Sequence, residues 1–126
     1  MTRLRETASA VAEGIAALDR LTLGPGDELE CPADVSDVLA GLVLAMSGMP
    51  RLLGQLAAFL EVEHVKGTTG PGGPAGTGEE RVREISDALH RAGLDAETMA
   101  AALDAARQAC AELAAASARR RDRHDG

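Results

Sequence analysis

The sequence predicts an all-α protein, an antiparallel bundle of three long helices at about residues 3–21, 34–66 and 79–118. Three observations carry this reading. Apolar side chains recur at alternating spacings of four and three along each stretch, the mark of a helical stripe. The stretches are separated by segments rich in Gly and Pro, which cannot continue a helix cheaply. Aromatics make up 1% of the 126 residues, which argues against β-sandwiches and barrels, since these draw on aromatic and β-branched side chains. With 45% apolar and 26% charged residues, the composition is that of one globular domain, which we place at residues 1–118.

The first helix carries Leu4, Ala8, Val11, Ile15 and Leu18 on one stripe, with Glu6, Ser9, Glu13 and Arg20 on the other side. Leu23-Gly24-Pro25-Gly26-Asp27 ends it. In the second helix, Asp34 is a good N-cap and Val35, Leu39, Leu42, Met46, Met49, Leu53, Leu56 and Leu60 form the stripe. The register passes unbroken through Ser47-Gly48-Met49-Pro50, so one helix kinked at Gly48 and Pro50 is expected rather than two. Around Val38, Leu42, Leu44 and Met46 this helix is apolar nearly all round, which calls for cover on more than one side.

Residues 67–78 form a Gly/Pro-rich loop with linker composition. Lys66-Gly67-Thr68-Thr69 beside it lacks the order of a phosphate-binding loop. In the third helix, Val82, Ile85, Leu89, Ala92, Ala96, Met99, Leu103, Ala106, Cys110, Leu113 and Ser117 alternate spacings of three and four without a slip. That continuity favours one helix, with a break at Gly93-Leu94 as the alternative. Such a break would make Val82–Arg107 a helix-turn-helix, but its second helix opens with Asp95 and Glu97 and offers no donors for phosphates or guanine edges. Paired antiparallel, the second and third helices bring Asp34 level with Ala111, which places Cys31 near Cys110; two cysteines are too few for a disulfide-rich scaffold.

The candidate chemistry is sparse. Glu61-Val62-Glu63-His64 and Asp87-Ala88-Leu89-His90 carry the spacing of bundle metal ligands, but both fall off the apolar stripes and read as solvated faces. His64, His90 and His124 are scattered, and Ser47 lacks the setting of a nucleophile elbow. No catalytic, metal or cofactor site is expected, and the chain reads as a non-enzyme.

The formal net charge is −7, so neither nucleic acid nor a membrane surface is an expected partner of the body. Arg119, Arg120, Arg121 and Arg123 form the one basic cluster, in a segment (119–126) expected to be a disordered tail. They are the candidate polyanion contact of the alternative function, a small bacterial regulator touching nucleic acid. With no secretory signal and no apolar run beyond about 12 residues, where a spanning helix needs about 20, a cytoplasmic location is expected.

A short first helix cannot cover the whole of the third, which leaves apolar surface for a homodimer or a helical partner in coiled-coil fashion. The candidate interface is Val38, Leu42, Leu44 and Met46 together with Met99, Leu103 and Leu113. The absence of Asn, the single Lys66 and the two isoleucines Ile15 and Ile85 fit a GC-rich bacterial genome. The run Cys31-Pro32-Ala33-Asp34-Val35-Ser36-Asp37-Val38-Leu39, with Leu52-Leu53-Gly54-Gln55-Leu56 and Glu61-Val62-Glu63-His64, resembles small all-helical proteins of Streptomyces-type actinobacteria. The resemblance covers roughly residues 3–115 and implies a helical fold without implying an activity. Secreted helical hairpins with a Trp-x-Gly turn are a different group, since the chain has neither Trp nor Tyr.

Overall fold

A computed structural model describes residues 2–23, 29–65 and 77–125. Three α-helices follow in order, α1 (Thr2–Leu21), α2 (Pro32–Val65) and α3 (Thr77–Asp125), with no strand among the described residues. The expected all-α architecture is therefore present. The loop 67–78 and the stop at Gly24–Asp27 lie outside the described residues, except that Thr77 and Gly78 belong to α3.

The start of α2 differs from expectation by two residues. Pro32 occupies the first helical position, where its missing N–H costs nothing, and the Asp34 N–H donates to the Cys31 carbonyl at 3.0 Å. The Asp34 carboxylate reaches back to accept from the N–H groups of Glu30 (2.8 Å) and Cys31 (3.2 Å). Asp34 thus acts from within the first turn, as the acid of a capping box does, and the cap position falls at Cys31 rather than at Asp34. Beyond this start, α2 is one helix through Gly48 and Pro50.

The packed pair is α2 and α3, running antiparallel. Three cross-helix contacts fix the register: Ser36 Oγ donates to the Arg107 carbonyl at 3.5 Å, Gly93 abuts Pro50, and Ser86 Oγ donates to Glu61 Oε1 at 2.9 Å. A Cβ added at Gly93 would stand 3.4 Å from Pro50 Cα and 3.6 Å from Pro50 Cβ. Because α3 is one helix from Thr77 to Asp125, the alternative break at Gly93 is overturned, and with it the helix-turn-helix. The glycine lets two backbones approach inside a continuous helix.

The end of α3 also departs from expectation. The helix runs through Arg119–Arg123 to Asp125, so the basic segment is helical where a disordered tail was expected. Arg is a good helix former, and cations at the C-terminal end complement the helix dipole. By the observed register Pro32 lies level with about residue 111, so roughly the last 14 residues of α3 project some 20 Å beyond α2 at 1.5 Å per residue.

Helix α1 stands off. Among the described residues none of its Cα atoms lies within 8 Å of one in α2 or α3. Since Cα atoms sit about 2.3 Å from a helix axis, the axes are roughly 12 Å or more apart, against 8–10 Å for packed helices. Gly14, Gly41 and Ala45 line this gap and supply little side chain to bridge it. The expected stripe of α1 is therefore exposed at Leu4, Val11 and Ile15, and only Ala17 and Leu18 are half-buried.

Candidate association interface

One apolar side chain among the described residues is buried, Ala96 at 7% exposure, one turn beyond the buried Gly93. The dry interior is thus a short strip where small residues on α3 meet Pro50. Everything larger keeps a wet side, including Leu53 and Leu103, which are half-buried.

The structure divides the candidate interface residues among three settings. Val38 and Leu42 are half-buried and line, with Val11, Ile15 and Leu18, an open apolar groove of about 590 Å³ between α2 and α1. Met46, one turn before Pro50, is half-buried on the side of α2 that faces α3, and Leu44 is 76% exposed on the opposite side. Met99 and Leu113 are each 52% exposed, whereas Leu103 is half-buried against α2. They are not one patch.

The division on α3 follows a rule. The eleven-position stripe separates into two heptad lines, as a seam with a and d positions does. Val82, Leu89, Ala96, Leu103 and Cys110 are all buried or half-buried and pack toward α2, and the half-buried Ser117 continues the line beyond the start of α2. Ile85, Ala92, Met99, Ala106 and Leu113 are all exposed. α2 packs on the first line as far as Cys110, and nothing among the described residues fills the second. On α2, Leu52, Leu56 and Phe59 form a further exposed apolar strip beyond the strand of contacts with α3. The signal for this split lay in the seven-residue spacing, whereas the Gly93–Pro50 approach had no sequence signal beyond a glycine in mid-stripe.

The polar groups do structural work. Asp104 accepts from Arg107 Nε and from Gln108 Nε2, both at 2.8 Å, and these bonds, the arginine's first, hold its carboxyl below the usual carboxylate range. The N–H of Glu30, and then that of Cys31, do the same for Asp34. Among the described residues no group of three His, Cys, Asp or Glu side chains is gathered closely enough for a metal ion, and Glu61 is engaged by Ser86. Cys31 and Cys110 are free thiols, the first exposed and the second half-buried.

Charge is distributed unevenly along the pair. The end where α2 finishes and α3 begins carries the exposed Glu61, Glu79, Glu80, Glu84 and Asp87 against Arg81 and Arg83, which pair with Glu84 (3.2 Å) and Glu79 (3.3 Å). The projecting end of α3 carries the exposed Arg119, Arg120, Arg121 and Arg123. By length and composition alone α2 qualifies as a membrane-spanning helix, contrary to the expectation from its longest apolar run. Comparison with protein-family models, with curated proteins and with solved structures finds no match to the chain.

Proposed function

We propose that the chain is a non-enzymatic helical association module, assembling with itself or with a helical partner, in a cytoplasmic setting. The observation that carries this reading is the burial of a single apolar side chain in a pair of helices that together span 83 residues. A domain of this size is stabilised chiefly by apolar burial, and here that burial is left to be completed from outside the chain. The complete exposed heptad line on α3 has the form of a surface that receives another helix.

A spanning role for α2 fits less well. α3 lies along α2 and carries Asp87, Arg91, Asp95, Glu97 and Asp104 through the same zone, so insertion would strip the pair apart or drag these charges into lipid. Each charged side chain costs about 2.5–3.5 kcal/mol at a membrane centre. Flotation with neutral vesicles tests this, and the protein is expected to stay with the unbound fraction.

The alternative, a regulator contacting nucleic acid, rests on the exposed arginines of the projecting helix end. On a wheel of 100° per residue Arg121 falls on a different side from Arg119 and Arg123, so the four form no single basic face. Sedimentation velocity from low to high micromolar protein separates the readings. A dimer or larger assembly that persists in high salt supports association. A monomer at every concentration, retained on heparin in low salt, supports the regulator.

A further inference from the structure

From the exposed heptad line of α3 we infer, resting on the association reading, that the occupant of this line is α3 of a second copy, antiparallel, with the two-fold axis at Met99. The line is a palindrome in side-chain size. Ile85 and Leu113 lie fourteen residues either side of Met99, and Ala92 and Ala106 lie seven either side. Run against itself, it sets Ile85 opposite the second copy's Leu113, Ala92 opposite Ala106, and Met99 opposite Met99. A two-fold interface uses one patch on both chains and so must be self-complementary, which this line is. The two alanine layers allow close approach of the helices, while the flexible thioether of Met99 can adapt to its own copy at the axis.

Charge selects the same arrangement. The axis that pairs Ile85 with Leu113 brings Glu79 level with Arg119 of the second copy along the helix axis and Glu80 within two residues of Arg120. Arg120 continues the apolar line seven residues beyond Leu113, and Glu84 immediately precedes Ile85 at its other end. An antiparallel pair about this axis brings the acidic start of each α3 to the level of the basic end of the other. A parallel pair would instead set four arginines against four arginines. Exposed rim charges of this kind act mainly on encounter rate and orientation and weaken in salt.

The test uses the full chain with Cys31→Ser and Cys110→Ala, to which single cysteines are added and oxidised under mild conditions. Met99→Cys is expected to yield a covalent dimer at least tenfold faster than Ile85→Cys, because only the former meets itself. Ile85→Cys combined with Leu113→Cys is expected to close into a dimer as readily as Met99→Cys. Equal self-linking at Met99→Cys and Ile85→Cys would show a parallel pair and overturn the inference while leaving the association reading intact. A dimer that links at none of these positions uses another face and also overturns it. A chain monomeric at every concentration overturns both. As a second readout, Met99→Glu is expected to raise the dissociation constant at least a hundredfold, and Met99→Leu to leave it within threefold; equal behaviour of the two contradicts a buried axis position.

Discussion

Gly93 is the residue on which the packed pair turns. A mid-helix glycine costs about 1 kcal/mol relative to alanine, and a Cβ there would meet Pro50 at ordinary van der Waals distance rather than in collision. Gly93→Ala is therefore expected to stabilise the protein by up to about 1 kcal/mol in urea unfolding, while Gly93→Leu wedges the helices apart and costs about 1–3 kcal/mol. A large loss for Gly93→Ala would mean the helices sit closer than the observed 3.4 Å contact. Asp34 gives a test in pH. Its carboxyl is depressed below the ordinary 3.8 by the N–H groups of Glu30 and Cys31, so its contribution is complete above that value. The contribution is lost as pH falls through the lower folded value. Asp34→Ala should therefore lower the melting temperature at neutral pH and converge with the parent chain in strong acid. An equal difference at both pH values would show that the carboxylate bonds do not carry the effect.

At the scale of elements, the apolar periodicity located all three helices, because aliphatic spacing reports which side of a helix leaves water. Counting equal lengths outward from the loop between the second and third helices places Asp34 level with Ala111, and the Ser36–Arg107 bond agrees to within about a turn. Periodicity does not report what covers a stripe, and that is where the reading diverged. The α1 stripe is as regular as the others, yet it faces Gly41 and Ala45 across an open gap. Terminal segments are usually disordered, which predicts a tail at Arg119–Arg123, although propensity and dipole suffice to extend a helix already running. Hydrogen exchange on the full chain should show amides of Val11–Leu18 exchanging at least tenfold faster than those around Gly93–Leu103. Equal protection would mean that α1 is docked in solution, with the groove beside Val38 and Leu42 closed.

For the whole molecule, the imbalance between aliphatic content and burial is the governing fact. The chain is 45% apolar, yet among the described residues only Ala96 has an apolar side chain withdrawn from water. The candidate interface was legible in part: Met99 and Leu113 belong to the open line, Leu103 to the filled one, and seven-residue spacing alone does not say which is which. That distinction comes from the side of α3 on which α2 packs. If the missing burial is supplied by association, folding and assembly are one equilibrium, and stability must depend on protein concentration. The most direct measurement is the thermal midpoint of the helical circular dichroism signal across a hundredfold range of protein concentration. A midpoint that climbs steadily with concentration is the expected result, and a sharp cooperative melt at one fixed temperature throughout would contradict the account.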